Sequence, residues 1–236
     1  MRSFNPAFIG LRCVKCRAQC DPEHKHYLCP QCGNLLDPEY DYAVIKSCFG
    51  QIIDRKERNI WRWREFFPIL SDKHVTSLGE GGTPLLKSER LAEYCGVKEL
   101  WLKNDTVNPT GSLKDRSIPI AVAKALEFGF STIACDSTGN KAASVAAYAT
   151  RAGLKSVVFC NATTSKEKLA QAVFYGAKLV RVKGDYTEVN NLYKQIALSC
   201  VLHPGIGRAT AQELCRKNTR HHEEVLPDSG MRCSQG

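Results

Sequence analysis

The chain has 236 residues, 43% of them hydrophobic and 24% charged, with a formal net charge of +9. These values are typical of a globular protein and exclude a long disordered or collagen-like chain. No stretch approaches 18 consecutive apolar residues and the first residues carry no secretory signal, which predicts a cytoplasmic protein without a membrane partner. Basic residues are spread along the chain without a block of like charge, and we predict no nucleic-acid partner.

Twelve cysteines are present, and five of them fall within twenty positions near the N-terminus. Cys13 and Cys16 form one C-x2-C pair, and Cys29 and Cys32 form another, with Gly33 placed for a turn of positive φ. Two such pairs predict a tetrahedral, structural zinc site, because each pair turns two sulfurs towards one centre. Buried thiols in a small core are the alternative interpretation. Spare candidates on the connecting hairpin are Cys20, His24 and His26.

The segment Trp61-Arg62-Trp63-Arg64 alternates aromatic and basic residues. This pattern is found in nucleic-acid-binding surfaces, where bases stack on aromatic rings. It also fits an amphipathic helix with its tryptophans in a core and its arginines in water. We favour the helix, because the rest of the chain carries a different chemistry.

From residue 99 onward, short apolar runs alternate with helical patterns at intervals of 22–24 residues. This spacing predicts an α/β fold in which a parallel sheet lies between helices, preceded by the small zinc ribbon. The predicted strands cover 100–102, 132–135, 157–159 and 179–182. The predicted helices cover 113–128 and the alanine-rich segment before Gly153, and capping boxes at Thr164 and Asp185 begin two more.

A polar loop, Ser137-Thr138-Gly139-Asn140, follows the predicted strand that ends at Cys135. In open parallel sheets, ligands bind beyond the carboxyl ends of strands and against helix N-termini. The hydroxyls, the glycine and the free N–H groups of this loop therefore fit a carboxylate or a phosphate. An ordinary turn and helix cap fits the same residues.

The string Asn108 to Arg116 places Lys114 in the first turn of a predicted, largely apolar helix. The field at a helix N-terminus and partial burial both disfavour an ammonium ion, which predicts an easily deprotonated amine suited to a Schiff base. A solvated lysine paired with Asp115 is the alternative. Gly82 to Lys87 is not a nucleotide phosphate loop, because Leu86 occupies the required glycine position.

Together with Leu78-Gly79-Glu80-Gly81-Gly82-Thr83-Pro84-Leu85, these motifs resemble the threonine synthases, which are fold-type II pyridoxal-phosphate enzymes, in their zinc-ribbon form. The resemblance runs from about Leu11 to Ala197, and Leu113 stands where the family usually has phenylalanine. It implies domains at 1–40 (zinc ribbon), 41–76 (linker or helical arm), 77–198 (N-terminal portion of the pyridoxal-phosphate-dependent α/β domain) and 199–236 (atypical tail).

By this resemblance, Lys114 holds pyridoxal phosphate covalently and later moves protons, and Asn140 hydrogen-bonds the ring oxygen of the cofactor. Ser137, Thr138 and Gly139 hold the substrate carboxylate. Thr83 lies in a loop that contacts substrate. The implied lyase reaction converts O-phosphohomoserine and water to threonine and phosphate, so the expected partner is a small amino-acid phosphate, and an oligomer is possible.

Two other functions stay open. One is a related β- or γ-replacement enzyme acting on another amino acid, such as phosphoserine. The other is a catalytically inactive fragment that serves as a zinc-dependent binding module. Members of the family continue past 300 residues, and residues 199–236 carry no family motif, so we expect a truncated or frame-shifted product that lacks the glycine-rich phosphate loop.

Overall fold

A computed structural model describes residues 5–23 and 28–201 of the chain. The chain divides into two compact units, Met1–Phe128 and Gly129–Gly236. His24 and His26, the spare candidates for metal binding, lie outside the described residues, as does residue 202 onward, which includes most of the predicted tail. Within the described ranges, no helix is both long enough and apolar enough to cross a membrane.

The first unit begins with a small antiparallel sheet in the order β2-β1-β3, and a second antiparallel pair follows later in the chain. This second pair confirms the predicted strand around residue 101, which joins a hairpin-like pair rather than a parallel sheet. The elements are β1 (Phe8–Cys13), β2 (Gln19–Cys20), β3 (Leu36–Tyr40), α1 (Tyr42–Ile53), β4 (Leu85–Lys87), α2 (Glu89–Cys95), β5 (Trp101–Lys103) and α3 (Ile118–Glu127), with 3-10 helices at Ile60–Phe66, Asp72–His74, Asp105–Val107 and Leu113–Arg116.

The tryptophan–arginine segment forms a 3-10 helix with a kink at Trp63, not an amphipathic α-helix. Trp61 is buried, and its indole N–H donates to the carboxylate of Glu80 at 2.9 Å. Trp63 is 37% exposed. The guanidinium of Arg62 donates to the carbonyls that end α1, which caps that helix. The ring of Trp61 is therefore part of a core and is not a platform on which a base could stack.

The helix predicted over 113–128 is broken into two pieces. Leu113–Arg116 forms a 3-10 helix, and α3 begins only at Ile118, after a joint at Ser117. Pro119 explains the break, because proline lacks the N–H that a helix interior requires and is tolerated in a first turn. Lys114 consequently lies in a short, separate helix instead of opening a long one.

The second unit is a parallel sheet with strand order β6-β7-β8, which confirms the three predicted βα units. Asp185 and Glu188 form the predicted capping box, in which each backbone N–H donates to the other residue's carboxylate. The capping box predicted at Thr164 is wrong, because the N–H of Thr164 closes a turn onto Asn161 and Ser165 is the N-cap. The elements are β6 (Thr132–Asp136), α4 (Asn140–Arg151), β7 (Lys155–Asn161), α5 (Lys166–Phe174), β8 (Lys178–Val182) and α6 (Tyr186–Val201).

Both faces of this parallel sheet are covered. On one face, the apolar side of α6 packs against side chains that alternate along β7 and β8, with Phe159 at the centre. On the other face, Val158 and Cys160 are fully buried, and α4 and α5 are the helices of the β6-α4-β7-α5-β8 crossovers. Right-handed crossovers place successive helices on the same side, which leaves the opposite face for α6. The second unit thus has the predicted three layers, helix–sheet–helix.

Candidate functional site

The sulfurs of Cys13, Cys16, Cys29 and Cys32 lie within 4.8 Å of one another. The sulfurs of Cys13 and Cys32 are 3.4 Å apart, and those of Cys16 and Cys29 are 3.6 Å apart. These distances are close to the edge of a zinc–sulfur tetrahedron, about 3.8 Å for a bond of about 2.3 Å. Cys20 is not a member of the group. The four sulfurs of the sequence motif therefore lie close enough together for all of them to bind one metal ion.

Each C-x2-C pair is closed by the same backbone turn. The N–H of Arg17 donates to the carbonyl of Cys13 at 3.1 Å, and the N–H of Gly33 donates to the carbonyl of Cys29 at 2.8 Å. Both donors have left-handed backbone, with φ of +63° and +67°. The glycine was predicted from the sequence, but the arginine was not, because side chains rarely adopt this conformation.

The same turns favour thiolate at Cys13. Burial alone raises its pKa, but N–H donors of Cys16 and Lys15 and the thiol of Cys32 outweigh burial and lower the pKa of Cys13 to about 6. A lowered pKa suits a metal ligand, because the thiolate is the form that binds metal.

Replacing Gly33 with alanine should weaken metal binding. The position is open, with nothing within 4 Å of an added Cβ, so the cost comes from the left-handed φ alone, about 1–2 kcal/mol. Zinc affinity measured against a competing chelator should fall by roughly 5–30-fold. Gly50, inside α1 and equally open, is the control, since Gly50→Ala should leave zinc affinity unchanged and stabilise the helix. Unchanged affinity in Gly33→Ala would contradict this account of the turn.

Lys114 is exposed, and its neighbours are held firmly. The hydroxyl of Ser112 accepts from the N–H of Lys114 at 3.3 Å. Asp115 is fully buried and accepts from both the N–H and the hydroxyl of Thr110, each at 2.6 Å. The expected partial burial of Lys114 is wrong. The alternative, a solvated lysine paired with Asp115, is confirmed in its exposure and wrong in its pairing, because the Asp115 carboxylate binds Thr110. The loop therefore presents the amine of Lys114 to solvent from a fixed backbone.

Thr83, Asp105 and Arg116 form a hydrogen-bonded network beside that loop. Arg116 donates to both carboxylate oxygens of Asp105, at 2.7 and 2.6 Å, and to the hydroxyl of Thr83 at 2.9 Å. The hydroxyl of Thr83 in turn donates to Asp105 at 2.8 Å. Thr83 is buried, and its proton is already committed to Asp105. Its predicted contact with substrate stays a prediction.

The charge of Asp105 should make the stability of the first unit depend on acid pH. Bonds from Arg116 lower the pKa of Asp105 to about 2, from an ordinary value of 3.8. Because the folded pKa is depressed, this stabilisation is present above about pH 4 and is lost as pH falls towards 2. We expect Asp105→Asn to cost about 1–2 kcal/mol at pH 7, allowing for the partly exposed Arg116, and to cost progressively less below pH 4. Urea unfolding of both proteins from pH 7 to pH 3 tests this, and a difference that stays constant with pH would contradict it.

The glycine-rich loop at 79–82 is tied to the Lys114 loop through Asn108. The side chain of Asn108 accepts from the N–H of Gly81 at 3.0 Å and donates to the carbonyl of Asp105 at 3.1 Å. Gly82 has a φ of +58°, and a Cβ there would lie 1.9 Å from the carbonyl oxygen of Arg58. Only glycine fits at position 82, because the backbone of Arg58 lies so close. The glycine-rich motif is therefore required for packing as well as for the turn.

In the second unit, the loop Ser137–Asn140 follows the end of β6, as predicted. The N–H of Ser137 donates to the carbonyl of Phe159 at 3.1 Å, and the hydroxyl of Ser137 accepts from the N–H of Gly139 at 3.3 Å. Thr138 and Asn140 are exposed. Gly139 is the N-cap of α4 and provides no side-chain cap, so the first N–H groups of this helix can receive an anion.

A polar cluster that sequence reasoning missed lies directly beside this loop. Asp136, the last residue of β6, is buried, and its carboxylate accepts from Lys141, Tyr186 and Asn190, at 2.8, 3.2 and 2.5 Å. Burial raises its pKa, but the bonds from Lys141 and Asn190 outweigh burial and hold the pKa of Asp136 below its ordinary value. For Lys141, burial lowers the pKa, but the hydrogen bond to Asp136 outweighs burial. The pKa of Lys141 therefore lies above its ordinary value. The two groups form an ion pair at neutral pH.

The predicted site residues thus fall into three local groups. The four cysteines converge, Lys114 and Thr83 lie in the first unit, and the loop Ser137–Asn140 lies in the second. The residues that hold these groups in place, and that the sequence analysis did not assign to a site, form no sequence motif of their own. Asp115 and Arg116 nevertheless adjoin Lys114 in the sequence and could have been chosen as candidates.

Comparisons with known proteins identify the family of the chain. A family model described as pyridoxal-phosphate dependent enzyme matches residues 76–209, more than half of the chain. Threonine synthase of Methanocaldococcus jannaschii is 42% identical over 188 residues, which cover 79% of this chain and 46% of the relative. Threonine synthase of Methanosarcina acetivorans is 37% identical over 187 residues, which cover 79% of this chain and 45% of the relative. The chain spans less than half the length of these relatives.

Among solved structures, O-ureido-L-serine synthase shares 28% sequence identity with a TM-score of 0.45, over 50% of this chain and 38% of that one. The family match includes both the loop that presents Lys114 and the loop Ser137–Asn140. The chain therefore belongs to the pyridoxal-phosphate dependent enzyme family, with threonine synthases as its curated sequence relatives.

Proposed function

We propose that this chain carries the chemistry of a threonine synthase, a lyase that converts O-phosphohomoserine and water to threonine and phosphate. The observation that carries the proposal is the exposed amine of Lys114 in the matched family segment, on a backbone flanked by the buried residues Ser112 and Asp115. The 42% identity to a threonine synthase supports the substrate class.

The residues present fit pyridoxal phosphate in the chemistry that they offer. A lysine amine accessible to solvent is the group that condenses with an aldehyde, and the uncapped N-terminus of α4 suits an anion. When bound, the cofactor supplies an electron sink that lets protons leave carbon atoms next to the amino group of the substrate.

Within this proposal, each side chain has one role. The Nζ atom of Lys114 holds the cofactor and then takes and returns protons, which requires an amine that can be both base and acid. The side-chain amide of Asn140 orients the cofactor through its ring oxygen. The N–H and hydroxyl groups of Ser137, Thr138 and Gly139 bind the substrate carboxylate. Thr83, held by Arg116, shapes the loop that approaches the substrate.

Phosphate release tests the proposal. The full chain, loaded with zinc and pyridoxal phosphate, should release phosphate from O-phosphohomoserine, and Lys114→Ala should abolish the release. Faster release of phosphate from phosphoserine than from O-phosphohomoserine would contradict the proposed substrate. It would favour the related β- or γ-replacement enzyme. Absence of release from both substrates would overturn catalysis by this chain and favour the zinc-dependent binding module.

We also propose that residues 1–40 bind one structural zinc ion through the four cysteines. Four sulfur ligands complete a tetrahedron and leave no position for water or substrate, so the metal stabilises the fold and takes no part in the reaction. Location in the cytoplasm, assembly as an oligomer and independence from nucleic acid stay predictions.

A further inference from the structure

The loop Ser137–Asn140 is flanked by two residues of opposite charge. Asp136 precedes it at the end of β6, and Lys141 follows it in the first turn of α4. Their side chains meet at 2.8 Å, so the ion pair joins the two ends of the loop directly. The carboxylate is 5% exposed and the ammonium group is on a side chain that is 40% exposed.

This ion pair is fixed to the rest of the second unit by α6. Asp136 is in register with Phe159 on the sheet face that α6 covers. Asn190 and Tyr186, both on α6, hydrogen-bond the second oxygen of the same carboxylate. The ammonium group of Lys141 also lies 5.9 Å from the centre of the ring of Tyr193, within reach of a cation–π contact.

Within the described part of the chain, few hydrogen bonds hold the loop itself. The N–H of Ser137 donates to the carbonyl of Phe159, the N–H of Gly139 donates to the hydroxyl of Ser137, and the carbonyl of Gly139 accepts from the N–H of Ala143. Gly139 adds conformational freedom and no cap. A loop with so few bonds of its own depends on its ends for its shape, and both ends are joined by an ion pair whose carboxylate is buried.

We infer that Asp136 and Lys141 are positioning residues that hold the loop Ser137–Asn140 in its ligand-binding shape through contacts with α6. The inference rests on the proposed function to the extent that this loop binds cofactor and substrate. The pair acts through the loop, so neither side chain needs to touch the ligand. Since the pair is neutral as a whole, it orders the loop without adding net charge beside an anionic ligand.

The experiment compares the full chain with Asp136→Asn, Lys141→Met and their double variant. Amide hydrogen exchange is measured without cofactor, for peptides that cover the loop and for peptides of β7 and β8. We expect exchange in the loop to be at least about tenfold faster in each single variant, with little change in the strands. The double variant should match the singles, because two partners in one interaction are not additive.

Affinity for pyridoxal phosphate, titrated by absorbance, is the second readout and needs no turnover. Each single variant should bind about tenfold more weakly, because a displaced loop misaligns its donors. Lys141→Arg, which keeps the charge, should retain both loop protection and affinity. Arg151→Met is the matched control, since it removes a positive charge from the exposed last turn of the same helix.

Unchanged exchange in the loop of both single variants would overturn the inference. Uniformly faster exchange throughout the second unit would also overturn the inference. That result would mean that the ion pair stabilises the whole unit and does not position the loop in particular. Failure of the unmodified chain to bind pyridoxal phosphate would count against the proposed function alone, and the exchange measurements on the cofactor-free chain would still decide the positioning role.

Discussion

Replacing Lys114 with alanine should remove the covalent pyridoxyl label from the chain. The purified protein is incubated with pyridoxal phosphate, reduced with borohydride and digested, and labelled lysines are located by mass spectrometry. We expect one dominant labelled site, at Lys114, because its amine is exposed while its backbone is held by Ser112 and the Asp115–Thr110 bonds. The loss in Lys114→Ala should be essentially complete, since a covalent site has no substitute.

Lys98→Ala is the control for non-specific labelling. Lys98 is also exposed, in the segment between α2 and β5, and it has no place in the proposed site. Its replacement should leave label at Lys114 unchanged. Label scattered over many lysines of the unmodified chain would contradict the assignment of Lys114, whatever the total amount of label.

Replacing Cys13 and Cys29 together with serine should eliminate bound zinc. Each is the buried cysteine of its pair, and serine keeps the size but offers a hydroxyl that does not ionise at neutral pH. Loss of two ligands leaves an incomplete tetrahedron, so zinc content measured after dialysis should fall from one ion per chain to none. Because structural zinc contributes about 10–16 kcal/mol to folding in small zinc domains, the surrounding sheet β2-β1-β3 should unfold as well.

Cys20→Ser separates the metal site from a general effect of losing a thiol. Cys20 lies on β2, where burial, with smaller contributions from the nearby charges of Cys29 and Cys13, raises the pKa of its thiol. It does not belong to the group of four, so its replacement should retain one zinc ion per chain. Zinc that survives in the double variant would refute the four-sulfur site.

The repeated βα units could be predicted because each one is encoded locally, by an apolar run and a glycine that ends the following helix. The strand at Thr132–Asp136 and the end of α4 just before Gly153 follow this rule. The helix over 113–128 was misjudged, because its apolar spacing concealed the effect of Pro119 on the helix interior.

The cluster of four cysteines could be predicted for the same reason, since a C-x2-C pair fixes its own geometry within four residues. Two hydrogen-bond partners of Asp136 could not be predicted, because Tyr186 and Asn190 lie 50 and 54 positions away, on α6. No periodicity links an acidic residue at a strand end with two polar residues on a distant helix. Such contacts depend on how α6 returns across the sheet, which is a property of the folded unit.

The strand order β6-β7-β8 follows the order of synthesis. Each strand pairs with the next strand made, across one helical connection, so the sheet can grow in order as the chain leaves the ribosome. The exception is α6, which follows all three strands in the chain and must return to the first two of them. During synthesis, the carboxylate of Asp136 therefore stays hydrated until Asn190 emerges, and desolvation of that charge is a late folding event of the second unit.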